Sequence, residues 1–163
     1  PDCDMLPIGR LSKNGTCHGP QDRITQFTKP EQYTLMSLWG IFKSPLMIGG
    51  NLPDNDEFTL SLLTNAEYME MHRNSYGAKQ ILRNEKNGKG SIIWAANGKG
   101  CKYIALFNTD AKERKIKADL TDILMADTKY RAYDIWGNEI LGEYKNSITL
   151  TVAPHGARLI KLT

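Results

Sequence analysis

Two aspartates flank a cysteine near the start of the chain, in the order Asp2-Cys3-Asp4, and Met5 follows directly. Carboxylates at this spacing can bind a metal ion, form hydrogen bonds within a loop, or accept hydrogen bonds from the hydroxyl groups of a ligand. A calcium ion takes about six to eight oxygen ligands. Because neither a third acid nor a calcium-loop spacing follows these residues, the sequence predicts no metal site here.

Cysteine chemistry is the next option that this part of the chain raises. Cys3, Cys17 and Cys101 are too few for a disulfide framework. Cys3 and Cys17 could still pair, with free thiols as the alternative. Together with His18 they could suggest zinc, but a structural zinc site needs about four ligands at a recognisable spacing. We therefore expect no metal and no cofactor.

The bulk composition excludes several classes of protein. The chain has 163 residues, of which 40% are hydrophobic and 24% are charged, so one or two globular domains are expected. The net charge is only +3, and basic and acidic residues are interspersed, which does not favour a nucleic-acid partner. No apolar run approaches the roughly 18 residues that a membrane span needs. We therefore expect neither a nucleic-acid nor a membrane partner.

The first part of the chain has a helical pattern. The stretch Thr28-Lys29-Pro30-Glu31 has the spacing of a capping box, and a broad apolar face follows until Ser44-Pro45, so it predicts a helix. The acids before Glu57–Leu63 predict a second helix. The stretch Thr64-Asn65-Ala66-Glu67 has capping-box spacing again and predicts a short helix over residues 66–72.

Between the first two helices lies Leu46-Met47-Ile48-Gly49-Gly50. A short, wholly apolar run that ends in glycines predicts a strand buried on both faces, as in a parallel sheet. Such a strand needs neighbours on both sides, and the flanking segments predict too few strands to supply them. We therefore expect that residues 1–75 are the C-terminal remnant of a larger α/β domain, and that a preceding polypeptide or a homodimer partner covers residues 46–48 and part of the first helix.

From Tyr76 onward the apolar period changes to two. Turn residues such as Asn87-Gly88 and Asn97-Gly98 separate short alternating runs, which is typical of an antiparallel sandwich. The predicted strands are residues 79–83, 91–96, 101–108, 113–119, 129–135, 139–144, 147–152 and 157–162. Residues 103–107 are apolar on both faces and predict a central strand. The chain thus divides into residues 1–75 and a β-sandwich at residues 76–163.

Several ordered motifs resemble family 27 of the glycoside hydrolases, the α-galactosidase (melibiase) group. Asp2-Cys3-Asp4-Met5-Leu6 followed by Gly9 resembles the family segment W-x-D-P-D-M-L-x-x-G, with cysteine in place of the usual proline. Residues 32–39 and 44–49 resemble the last helix and last strand of the family's catalytic barrel. Residues 133–136 and 154–162 resemble parts of its C-terminal sandwich. The resemblance covers nearly the whole chain.

The resemblance implies a fold and a site. The fold is the end of a (β/α)₈ barrel followed by an antiparallel β-sandwich, and active sites of such barrels lie in loops after the strands. Asp4 matches a sugar-contacting aspartate, and Met5 matches a residue that lines the same pocket. Asp2 is a further candidate for substrate contact, with a purely structural role in the loop as the alternative. The family's catalytic aspartates lie on earlier strands, so none is expected among these residues.

The implied function is hydrolysis of terminal α-galactosyl or related residues of carbohydrates by a secreted or periplasmic enzyme, with the 163-residue chain inactive by itself. The sugar stays open, because the family also acts on α-N-acetylgalactosaminides, β-L-arabinopyranosides and isomaltodextrans. An alternative is a non-catalytic carbohydrate-binding or interaction module formed by the sandwich. Trp94 and Trp136 could then stack on sugars, although their place in strand-like runs favours packing in the core.

Overall fold

Helices, a six-stranded sheet and a two-stranded sheet lie one above another in three layers. The computed structural model describes residues 2–13, 22–121, 123 and 129–163. Its helices are α1 (Lys29–Phe42), α2 (Glu57–Leu63) and α3 (Ala66–Asn74), with a short 3₁₀ turn at Leu52–Asp54. Two short strands, β1 (Arg10–Ser12) and β2 (Arg23–Ile24), precede α1.

Eight strands follow the helices, each overlapping a predicted strand. They are β3 (Tyr76–Lys86), β4 (Lys89–Gly98), β5 (Cys101–Asn108), β6 (Arg114–Asp119), β7 (Tyr130–Asp134), β8 (Glu139–Tyr144), β9 (Ser147–Val152) and β10 (Ala157–Leu162). The large sheet has the order β3-β4-β5-β10-β7-β8, β6 pairs with β9, and these pairings are antiparallel. The predicted antiparallel sandwich is therefore confirmed.

The central strand β5 has both faces covered. Successive side chains of a strand point to opposite faces. Tyr103, Ala105 and Phe107 pack towards the helices, whereas Ile104 and Leu106 pack against the layer that contains β6 and β9. The strand is buried from residue 103 to residue 108 because each face meets another layer.

The helices share a core with the large sheet. Met36 and Ile41 of α1 are fully buried in the same apolar cluster as Tyr103 and Leu159, while Tyr33, Trp39 and Phe42 are only partly buried. Part of the apolar face of α1 is thus covered by the sandwich itself. The division of the chain at Tyr76 stays a prediction, because this core crosses it.

The helix starts follow from side-chain caps. At α1, Thr28 accepts a hydrogen bond from the Glu31 N–H, and Glu31 accepts one from the Thr28 N–H, so the predicted capping box is confirmed. The predicted capping box at Thr64 is wrong. Asn65 caps α3 by accepting from the Tyr68 N–H at 2.9 Å, while the Thr64 hydroxyl donates back to the Leu60 carbonyl of α2.

Residues 46–48 do not form the predicted strand. Ile48 makes a single parallel bridge to Leu6, with the Leu6 N–H donating to the Met47 carbonyl at 2.7 Å and the Gly49 N–H donating to the Leu6 carbonyl at 3.0 Å. Met47 is 51% exposed, so the expectation of burial on both faces is wrong for it. The physical reason is that a strand becomes regular and buried only when neighbours flank it on both sides. Ile48 finds one neighbour within the chain, which corrects the expectation that its pairing must come from elsewhere.

Candidate functional site

The candidate residues lie in a segment that we call the acidic loop, residues 2–6. Asp4 adopts a left-handed backbone conformation, with φ of 68°. Aspartate tolerates this region better than most residues, because its short side chain can form local hydrogen bonds. Here Asp2 accepts a hydrogen bond from the Asp4 N–H at 2.9 Å, and the Asp4 carboxylate accepts one from the Met5 N–H at 2.7 Å. Asp2 therefore makes the local hydrogen bond that a structural role requires, while its contact with substrate stays a prediction.

The segment after α1 anchors the acidic loop. The Cys3 N–H donates to the hydroxyl oxygen of Ser44 at 2.9 Å, and the indole N–H of Trp39 donates to the Asp4 carbonyl at 3.2 Å. Glycine at position 49 permits close approach, because a Cβ there would lie 3.1 Å from the Met5 Cβ. Together with the bridge at Leu6, these contacts fix the loop to the end of α1 and to residues 46–49.

The side chains of the acidic loop that could bind a ligand are exposed to solvent. Asp2 and Asp4 are exposed, and Met5 is 51% exposed. An ionised carboxylate offers about four lone-pair sites, so one that already accepts an N–H bond can still accept bonds from hydroxyl groups. The adjacent thioether offers an apolar surface. This pairing suits a ligand that carries both hydroxyl groups and C–H faces.

The metal-binding alternative for this loop depends on which ligand side chains lie close together. Within the described ranges, no three side chains of the types His, Cys, Asp and Glu lie close enough to hold a metal ion. Cys3 and Cys101 form no disulfide with another described residue. Cys17 and His18 lie outside the described residues, so the zinc and disulfide alternatives that involve them stay untested.

A separate cleft of about 430 Å³ lies where α1 meets the turn between β7 and β8 and the strands β9 and β10. Trp136 lines it, but its indole N–H donates to Ser37 at 2.7 Å, and its ring packs 5.4 Å from Tyr33 and 5.0 Å from Tyr68. Burial, together with the nearby Asp134 carboxylate, raises the pKa of Tyr33. Trp94 packs edge-on against Phe42. Both tryptophans thus pack in the core, as the sequence favoured.

Sequence reasoning missed the residues that hold the acidic loop. Ser44 lies 41 positions from Cys3, and Trp39 lies 35 positions from Asp4. The Ser44-Pro45 pair was interpreted only as a helix stop, which is correct, since α1 ends at Phe42. The useful signal was a serine directly after a helix end and beside an apolar segment, where a buried hydroxyl needs a partner.

Among the described helices, none is long and apolar enough to cross a bilayer.

The comparisons with known proteins match this chain to part of longer proteins. The family model for the α-galactosidase C-terminal β-sandwich domain matches residues 88–162. The α-galactosidase D of Emericella nidulans is 32% identical over 165 residues, an alignment that covers 99% of this chain and 23% of that protein. The chain therefore spans about a quarter of the length of this curated relative.

Solved structures match the whole chain as well. The GH27 β-L-arabinopyranosidase of Geobacillus stearothermophilus is 42% identical, with a TM-score of 0.89, over 100% of this chain and 37% of that one. The α-galactosidase I of Mortierella vinacea has a TM-score of 0.81 over 99% of this chain and 39% of that one, and at 24% identity it shows the fold alone.

Proposed function

The chain belongs to family 27 of the glycoside hydrolases, whose C-terminal part it matches, and from this we propose that the protein hydrolyses terminal α-galactosyl or closely related residues of carbohydrates. One observation carries the proposal. The exposed Asp4 and Met5 stand on an ordered loop, beside a residue that pairs in parallel with Ile48, in a chain that matches such enzymes over its full length. The resemblance makes residues 2–6 part of a loop that follows a barrel strand, and such loops are where barrel enzymes bind substrate.

The resemblance implies the roles of residues within the loop, and the geometry supports them. Asp4 accepts hydrogen bonds from ring hydroxyl groups, because its carboxylate is exposed and its backbone is fixed by Asp2 and Trp39. Met5 contacts the apolar face of the sugar. Asp2 holds the turn and, being exposed, adds a second carboxylate at the rim.

Catalysis itself needs two carboxylates, about 5–5.5 Å apart in retaining enzymes, as nucleophile and acid/base. The resemblance places them on earlier barrel strands, outside these 163 residues. The present chain therefore supplies sugar contacts only, and we expect it to be inactive in isolation.

The exposed apolar residues support an arrangement in which residues 1–75 end a barrel and residues 76–163 form the sandwich. Large apolar side chains that are at least 40% exposed occur throughout residues 5–60; they are Met5, Ile24, Phe27, Met47, Leu52 and Leu60. Exposed apolar patches are typical of interaction surfaces. Preceding barrel polypeptide is the occupant we propose, with a homodimer as the alternative. Light scattering on the 163-residue chain and on the longer gene product separates the two.

We also propose that the protein is secreted or exported to the periplasm, because the resemblance implies an enzyme that acts on carbohydrates outside the cytoplasm. Cell fractionation followed by immunoblotting tests it. Protein confined to the cytoplasmic fraction would contradict it.

The deciding experiment measures hydrolysis of p-nitrophenyl glycosides by the protein encoded by the complete gene. The panel is the α-D-galactopyranoside, the β-L-arabinopyranoside, which has the same ring hydroxyls without the hydroxymethyl group, and the α-N-acetylgalactosaminide. We expect turnover of at least one substrate and none by residues 1–163 alone. Asp4→Asn should lower kcat/KM by roughly tenfold or more, since a charged hydrogen bond to substrate is lost. Asp119→Asn, an exposed acid of the sandwich, is the matched control and should change little. An inactive complete protein, or an unaffected Asp4→Asn variant, would overturn the proposal.

A further inference from the structure

We propose that Ser44 and His72 are positioning residues for the acidic loop, so that helix α3 sets the place of the sugar-contacting Asp4. This inference rests on the proposed function for its consequence in catalysis. Its structural part concerns one chain of hydrogen bonds, and it can be tested without any substrate.

Ser44 connects the loop to the helices through its side chain and its backbone. It is fully buried, and its hydroxyl oxygen accepts the Cys3 N–H at 2.9 Å. Its own N–H donates to the Trp39 carbonyl at 3.0 Å, while the Trp39 indole reaches back to the Asp4 carbonyl. Loss of the acceptor of this partly buried N–H would cost stability, so Ser44 ties the position of residue 3 to the end of α1. Residue 3 lies between the two aspartates, and its place therefore determines theirs.

His72 holds Ser44 from the other side. Its Nε2 lies 2.8 Å from the Ser44 carbonyl oxygen. A carbonyl oxygen only accepts hydrogen bonds, so Nε2 must carry a proton in this contact. His72 lies in the last turn of α3, where the ammonium of Lys43 donates to the carbonyls of His72 and Arg73. These carbonyls lack partners within the helix, and a cation is favoured at this end of the helix dipole. The end of α3 is thus fixed to residues 43–44, and through them to the loop.

The first test follows the Trp39 indole N–H by NMR in the 163-residue chain. Ser44→Ala should accelerate hydrogen exchange of this proton several-fold, because the loop that carries the Asp4 carbonyl loosens. Ser37→Ala is the matched control, since Ser37 is also fully buried and accepts one indole N–H, that of Trp136. Ser37→Ala should affect the Trp136 proton and leave that of Trp39 unchanged. Equal effects of both variants on Trp39 would show a global loss of stability and would overturn the proposal.

Two further variants separate positioning from packing. His72→Leu removes the donor to Ser44 and should accelerate Trp39 exchange, whereas His72→Gln can place an amide N–H near the same point and should restore the slow rate. Cys3→Pro deletes the N–H that Ser44 accepts. The effect of Ser44→Ala on Trp39 exchange should therefore nearly vanish in a Cys3→Pro background. Additive effects of these two changes, or no rescue by glutamine, would refute the proposed chain of contacts.

The second test uses the complete enzyme. Ser44→Ala should raise KM roughly tenfold with a much smaller change in kcat, as expected when an interaction equal in ground and transition state is weakened. Ser37→Ala should leave both constants unchanged. If the complete protein hydrolyses no glycoside, the proposed function fails while the exchange experiment still decides the positioning role. If the enzyme is active but Ser44→Ala leaves KM unchanged, the positioning role fails alone.

Discussion

The two parts of the chain, residues 2–75 and residues 76–163, differ in how far their own residues supply strand pairing and apolar burial. Residues 76–163 form paired strands, and the central strand β5 is covered on both faces. Of residues 2–75, those that the structure describes contribute one isolated bridge and the short pairing of β1 with β2. Six of the nine large apolar side chains that are exposed in the described residues belong to this part. Residues 76–163, which we call the complete part, pair their strands among themselves, although helices of the first part cover one face of their large sheet. Residues 2–75, which we call the open part, share their buried core with that sheet.

The same difference appears when the buried helix contacts are compared with the surroundings of the acidic loop. The face of α1 that meets the large sheet has the close packing of a core, with Tyr68, Met36 and Ile41 fully buried. Around the acidic loop, hydrogen bonds fix the backbone, but Met5 and Met47 are each 51% exposed. An ordered edge with exposed apolar side chains is expected at the end of a barrel when the neighbouring barrel strands are not included.

The largest expected effect contrasts a residue of the complete part with one of the open part. Leu106→Ala should lower the free energy of unfolding by about 2–5 kcal/mol, because Leu106 is fully buried in the sandwich core. Met47→Ala should change it by less than about 0.5 kcal/mol in this chain, since half of the side chain is exposed. Urea denaturation measures both. In the complete protein the cost of Met47→Ala should increase; equal costs for Met47 in the two contexts would contradict the proposed barrel.

A second prediction concerns the contact between the helices. The Tyr68 hydroxyl donates to the Met36 carbonyl at 2.8 Å, so Tyr68→Phe should cost about 1–2 kcal/mol of stability. Tyr76→Phe, at an exposed position, is the control and should cost almost nothing. A cost for Tyr68→Phe no larger than that of the control would mean that the helices do not depend on this bond.

Tyr68 also makes stability depend on alkaline pH. Burial raises the pKa of Tyr68 well above its usual value, so the folded chain holds this proton more tightly than the unfolded chain does. The stabilisation is therefore fully present below the unfolded pKa of about 10 and is lost as the pH rises beyond it. Tyr68→Phe should flatten part of the decline between about pH 10 and 12. Some decline should remain, since burial also raises the pKa of Tyr103. An unchanged pH profile would contradict this assignment.

A third, smaller effect is expected at the start of α1. Thr28→Ala removes the capping box and should cost about 1 kcal/mol, whereas Thr149→Ala, at an exposed strand position, should stay within about 0.5 kcal/mol. The hydrogen bonds from Thr28 hold the pKa of Glu31 below its usual value. The contribution of the box is thus present above about pH 4.5 and is lost as the pH falls through the folded pKa. Thermal unfolding from pH 7 to pH 3 measures it, and a cost for Thr28→Ala that does not shrink on acidification would contradict the role of Glu31.

The sequence predicted the complete part of the molecule better than the open part. Each predicted sandwich strand overlaps an observed one, because alternation and turn residues are local signals. Residues 46–48 carry the same apolar signal but form one bridge, since regular pairing depends on neighbours that local sequence does not contain. The short pair β1 and β2 was missed because three and two residues are too few to show alternation.

The candidate site shows the same limit. Asp4 and Met5 were proposed as site residues through an ordered motif, and the hydrogen bond from the Asp4 N–H to the Asp2 carboxylate is a local pattern that the D-x-D spacing suggests. The left-handed backbone of Asp4 and the contact of Cys3 with Ser44 were beyond such reasoning. Both depend on where the end of α1 lies in space, which is set by packing across more than 30 positions of sequence.

The smallest expected effect concerns the ion pair that joins the two parts. The Lys161 ammonium of β10 donates a hydrogen bond to the Glu67 carboxylate of α3 at 2.8 Å, and this bond raises the pKa of Lys161. Because the two side chains remain partly exposed, the coupling energy should be only about 0.2–1 kcal/mol and should shrink in high salt. A double-mutant cycle with Glu67→Gln and Lys161→Gln measures this coupling, which should also fade as the pH rises past the ordinary lysine pKa of about 10.4. A coupling of several kcal/mol would mean that electrostatics, rather than the shared apolar core, holds the helices to the sandwich, and the contrast between a complete part and an open part would then need a different physical basis.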